Sequence, residues 1–134
     1  DAARNLGARP QGVTAMETPE EALKRQYMAL CQEFAGGIAP KMAELETGLR
    51  HLRAATDTDT ARAALKEIET AAHRLAGGGS TFGYPAISRA AVPVDSGART
   101  LGRSASPSSA AADELLPLIE ALRAVTANPG EPQI

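Results

Sequence analysis

His73-Arg74-Leu75-Ala76-Gly77-Gly78-Gly79-Ser80-Thr81-Phe82-Gly83 is the stretch on which the fold turns. Upstream of it, Ala61, Leu65, Ile68, Ala72 and Leu75 recur at alternating spacings of four and three residues, the mark of one buried helix face. At about 100° per residue that face centres more than about 100° away from His73, so the imidazole points to solvent. Lys66, Glu69 and Thr70 before it, and Ala76 and Gly77 after it, share its side of the helix. They make a polar face that opens onto small residues. Three consecutive glycines are costly in a helix. The helix is therefore expected to span 58–76, with the glycines giving a bulky partner close access to the ring.

Further helices lie on both sides. Thr18-Pro19-Glu20-Glu21 reads as a helix start, with a capping threonine, a proline at the first position and a glutamate three residues after the cap. Leu23, Tyr27, Leu30 and Phe34 then mark a buried face over 19–36, with Cys31 beside it as a small buried hydrophobe. Ile38, Met42, Leu45, Leu49 and Leu52 give a helix over 38–54, with Pro40 in its first turn. Ile87, Ala91, Val94, Ala98 and Leu101 give one over 84–101, in which Pro93 predicts a kink or break. A flexible loop over 102–109 precedes a last helix over 110–127, carrying Leu115, Leu118, Ile119, Leu122 and Val125, with Pro117 expected in or near its first turn. No strand-like alternation appears. The fold class is all-α: an up-and-down antiparallel four-helix bundle with an additional N-terminal helix. Residues 1–17 read as a linker or vector-derived arm, 18–128 as the bundle domain and 129–134 as a C-terminal tail.

Composition agrees. A chain of 134 residues is one domain's worth. Alanine fills about a fifth of it, which favours helices, and aromatics only 3%, so the core is aliphatic. The formal net charge of −2 argues against a nucleic-acid or anionic-membrane binder, which carries a basic surplus. A single cysteine, Cys31, excludes an internal disulfide and a cysteine metal cluster and suits a reducing compartment. No apolar run approaches the ~20 residues of a membrane span. Asp1–Pro10 lacks the apolar core of a signal peptide. The expectation is a cytoplasmic, monomeric helical domain.

An exposed imidazole has an unperturbed pKa of about 6.5 and is largely neutral at pH 7, with a lone pair free for nucleophilic attack. Other chemistries fit less well. His73, His51 and Cys31 are too few, and on different helices, for a zinc site. The glycine run is not a P-loop, because no Lys-Ser or Lys-Thr follows Gly83, nor a dinucleotide fingerprint, because a helix precedes it. Nothing local supports a Ser-His-Asp triad.

The 73–83 stretch, with the amphipathic helix and Ser88-x-x-Ala91 that follow, resembles the histidine phosphotransfer (HPt) domain of two-component phosphorelays. His73, Leu75, Gly77, Phe82 and Gly83 fall in the family register, and the resemblance spans about 18–127. It implies a four-helix bundle whose exposed histidine, here His73, takes a phosphoryl group from a receiver-domain aspartyl phosphate and passes it to another receiver. It implies a phosphocarrier with no kinase activity and no cofactor, Mg²⁺ belonging to the receiver. The docking footprint expected around His73 is Glu69, Thr70, Arg74, Ala76, Gly77, Gly78 and Ser80. Phe82 is expected as a core plug and Tyr84 at the rim.

One position departs from the family pattern. Lysine is usual where this chain has Ala76. Lys66 and Arg74 are the nearest candidates for charge support of the phosphoryl group, and neither repeats the usual geometry. Two other readings share the motif. One is the histidine-bearing substrate domain of a larger chemotaxis-type kinase, fed from ATP through a separate catalytic domain. The other is a scaffold that binds receivers without accepting phosphate.

Overall fold

The computed structural model describes residues 17–133. Helices α1 (Pro19–Gly36), α2 (Ile38–Ala54), α3 (Thr58–Thr81), α4 (Pro85–Gly102) and α5 (Ala111–Ala127) account for nearly all of them, and no strand occurs among the described residues. No helix among them is long and apolar enough to cross a membrane. The arm expected over 1–17 lies, Glu17 apart, outside the described residues.

The chain divides between Leu30 and Cys31 into two compact units. In the first, the expected capping box forms. The Glu21 amide donates to Thr18 Oγ1 at 3.1 Å, and Glu21 Oε1 accepts from the Thr18 amide at 2.8 Å. Arg25 adds a two-pronged ion pair with Glu17. The expected buried stripe of α1 is corrected here. Leu23 is 68% and Leu30 47% exposed, and only Cys31 and Phe34 of the helix are buried. A hydrophobic period says which side of a helix is apolar, not how far along it a covering element extends.

In the second unit α2 packs on α3, α3 on α4, α4 on α5 and α5 back on α2, closing a ring. Short connections make sequential neighbours antiparallel. The core is aliphatic: Leu45, Leu52, Leu65, Ile68, Leu75, Ile87, Leu115, Ile119 and Leu122 are all fully buried. At the α2–α3 crossing, a Cβ on Gly48 would stand 3.0 Å from Ile68 Cγ1, so the glycine sets the spacing. Asp57 caps α3 by accepting from the Thr60 amide at 2.8 Å, and this bond holds its carboxyl below the usual range.

Helix α3 does not stop at Ala76; it runs through the glycines to Thr81. The glycines are packing positions more than breaks. Around Gly77 there is open space, as the access reading required. Gly78, by contrast, lies under Phe34, whose ring a Cβ would overlap at Cε1 and Cδ1. Gly79 is pressed against the start of α4, where a Cβ would meet the Tyr84 carbonyl oxygen and the Ser88 amide nitrogen, each at 2.9 Å. The Tyr84 amide donates to the Gly79 carbonyl at 2.8 Å, stitching the two helices together. Only glycine allows two backbones this close while the helix continues.

Other expectations change too. Tyr84 is not at a rim; it is buried beside Phe34, and burial pushes its phenol pKa up. Phe82 is half-buried against Phe34 and the core, as a plug should be. Helix α4 continues through Pro93, because Pro93 and Arg89 lie on its exposed side, where solvent can serve the carbonyl freed four residues upstream. Pro117 is inside α5, at its seventh residue, not in its first turn, and is likewise exposed. The loop after α4 is pinned, since Arg62 donates to the Gly102 and Ser104 carbonyls and Pro107 is buried.

The glycines give a paired test by denaturant unfolding. Gly77→Ala should raise stability by about 0.5–1 kcal/mol, the helix-propensity gain at an open site. Gly79→Ala should lower it by roughly 1–3 kcal/mol, the range for overpacking a tight contact. Equal effects at the two positions would contradict the packing account. For Asp57 the sign follows from its lowered folded pKa: its contribution is present at neutral pH and lost as pH falls through the carboxylate range. The gap in melting temperature between wild type and Asp57→Ala should therefore close on acidification.

Candidate functional site

His73 sits two turns before the end of α3 with 73% of its side chain exposed. The close packing of α3 on α4 brings it against Asp95, and His73 Nδ1 lies 3.0 Å from Asp95 Oδ2. Asp95 is 7% exposed and is the one buried charged residue among those described. A carboxylate can only accept, so Nδ1 carries the proton and the lone pair falls on Nε2. Nε2 takes no hydrogen bond among the described residues. The arrangement therefore presents an outward nucleophilic nitrogen on a ring whose orientation and tautomer are held from behind.

Asp95 is itself held. Arg99, one turn along α4, donates to Asp95 Oδ1 at 2.7 Å and to Glu69 Oε2 at 3.2 Å. These bonds, the one with Glu69 foremost and the charge of Asp95 next, raise the Arg99 pKa above its usual value. Glu69 also meets Lys66 at 3.7 Å. A chain of alternating charge thus runs from the imidazole through Asp95, Arg99 and Glu69 to Lys66. Burial of a carboxylate is costly unless it is paired and hydrogen-bonded, and Asp95 has a partner on each oxygen.

The expected site residues separate into groups. Glu69 lies half-buried in this network, and Thr70 is half-buried one turn before His73. Arg74 turns away towards α2, where its guanidinium is 3.6 Å from Glu44. Lys66 is committed to Glu69. Neither expected charge-support residue therefore reaches the imidazole in this structure. Ala76 is only 9% exposed and belongs to the core, so it offers little docking surface. Gly77 and Ser80 are exposed, with Ser80 Oγ donating to the Gly77 carbonyl at 3.2 Å, while Gly78 is half-buried under Phe34. Asp95 and Arg99 were missed. A signal existed: Asp95 falls four residues after Ala91 and three before Ala98, in the apolar register of α4, where a charge is out of place unless it has a task.

The family model for the Hpt domain matches residues 29–125. The chain belongs to the Hpt family. Domains of this family are phosphocarriers in phosphorelays, without kinase activity of their own, and typically interact with receiver domains. Searches of curated proteins and of solved structures returned no match. Within this Hpt chain, the matched region contains all of α2 to α4 and nearly all of α5, and with them His73, Asp95 and Arg99.

The tautomer is open to direct measurement by nitrogen-15 NMR of the imidazole. In the wild type the His73 proton should reside on Nδ1 around neutral pH. Asp95→Ala should bring the ring to the mixed tautomers of a free histidine. A wild-type ring already mixed would contradict the contact as the orienting force.

Proposed function

We propose that His73 is the phosphoryl acceptor of this Hpt domain, taking the group from a receiver's aspartyl phosphate and relaying it to a second receiver. The observation that carries the reading is the exposed imidazole backed by Asp95. In the forward step Nε2 attacks phosphorus, the N–P bond forms, and the bond from phosphorus to the aspartyl oxygen breaks, releasing the receiver carboxylate. Phosphoryl transfer of this kind needs positioning and charge stabilisation more than covalent help. Positioning comes from Asp95 and the rigid α3–α4 pair. Mg²⁺ and much of the charge come from the receiver, because Ala76 occupies the place where the family usually has lysine. The phosphotransfer unit is residues 18–128, acting as a cytoplasmic monomer, and in this reading α1 is an additional helix outside the four that form the ring.

Two experiments test this. Radiolabelled phosphate should pass from a phosphorylated receiver to the wild type and give an acid-labile, alkali-stable adduct that His73→Gln lacks. Label retained by His73→Gln would move the site, with His51 next to examine. Label arriving only from an ATP-fed histidine kinase domain would favour the kinase-substrate reading, and binding without label would favour a scaffold. Separately, Ala76→Lys should lengthen the phosphohistidine lifetime by several-fold, and an unchanged lifetime would contradict the role given to the partner's charges.

A further inference from the structure

The alternating charges around Asp95 lead into a groove between α3 and α4 that the phosphotransfer chemistry does not use. Four cations line it: Arg62 and Lys66 from α3, Arg99 from α4, and Arg103 just after α4. The one acidic residue among its lining is Glu69. Arg62 spends its hydrogen bonds on the neutral carbonyls of Gly102 and Ser104, with Asp59 4.0 Å away at the rim. Arg103 is exposed and makes no ion pair among the described residues. With Asp59, Glu69 and Asp95 set against these cations the groove keeps a net positive charge, carried by the unpaired Arg103, on a chain whose formal net charge is −2. The opposite flank of His73, between α2 and α3, has no such surplus: Glu44 is paired with Arg74 and Glu67 with His51.

Distance puts the groove within reach of whatever reacts at His73. Lys66 is seven residues from His73, or ~10 Å along the helix, and Arg62 eleven, or ~16 Å. A standard protein interface buries ~800 Å² per partner, a disc of ~16 Å radius. A protein centred over the imidazole therefore covers the groove, and an acidic surface is the one it complements. Such charges act mainly by steering encounter and fixing register.

Building on the proposal that His73 accepts phosphate, we propose that the α3–α4 groove is the docking track for an acidic face of the receiver that exchanges phosphate with His73. This shifts the footprint from the glycine side of the helix, where Ala76 and Gly78 are covered, towards Lys66, Arg99 and Arg103.

The test uses the whole chain and the receiver of the same genome that labels it fastest. Transfer is followed against receiver concentration at several ionic strengths. Arg103→Glu should reduce kcat/KM roughly three- to tenfold at low salt through KM, with the maximal rate kept. Arg103→Lys should restore it, and the deficit should shrink as salt screens it, the Debye length being ~10 Å at 0.1 M. Arg50→Glu, on α2, is the control. Equal effects of Arg103→Glu and Arg50→Glu, or a deficit insensitive to salt, would overturn the proposal. So would Arg103-dependent retention of an RNA oligonucleotide with transfer unaffected, which would make the groove a nucleic-acid site. Phosphoramidate, a small donor that needs no docking, separates the two levels of the argument. A wild type labelled at His73 by phosphoramidate, with receiver transfer indifferent to Arg103, defeats the groove alone. A wild type that neither donor labels defeats the phosphoacceptor reading and the groove with it.

Discussion

A carboxylate held almost out of water must find partners, and at Asp95 that constraint organises the site. Its two oxygens are taken by His73 on the neighbouring helix and by Arg99 on its own. Both bonds depend on α3 and α4 lying close together. That closeness rests on small residues: Gly79 against the backbone at the start of α4, and Ala72, Ala91 and Ala98 fully buried along the two helices. The alanine-rich composition therefore does more than favour helix. It lets two helices approach until an aspartate on one reaches a histidine on the other.

Most of the architecture was legible because helical bundles write themselves in hydrophobic period. The stripes of α2 and α3 are buried as the spacing required, that of α4 is buried up to Ala98 with Leu101 half-buried, and Thr18 caps where its position predicted. Local rules failed where tertiary contacts override them. A triple glycine ought to end a helix, but Gly78 and Gly79 are needed for close approach to Phe34 and α4, so the helix keeps them. Pro93 ought to kink or break α4, yet the helix runs on through it, with the proline on the side facing solvent. The stripe of α1 was misjudged for the opposite reason: the sequence shows an apolar side and says nothing of whether anything covers it.

The candidate site was half legible. His73 stood out by its position opposite the apolar face and by the motif after it. What could not be read was which side of the ring would be held, because that depends on the rotation of α4 against α3. Reading outward from His73 along its own helix selected Lys66 and Arg74, and the structure commits both to carboxylates. Reading across to the next helix finds Asp95, and through it Arg99. The domain supplies a rigid, oriented imidazole, and in place of the usual lysine it has Ala76, at the edge of the core.

The central claim is that Asp95 holds Nδ1 and leaves Nε2 as the nucleophile. It is tested most directly by identifying which ring nitrogen carries the phosphoryl group. The chain labelled with nitrogen-15 and phosphorylated by a receiver would be examined for phosphorus–nitrogen coupling. The account predicts a single adduct with phosphorus on Nε2 of His73. Phosphorus on Nδ1, or on His51, would contradict it.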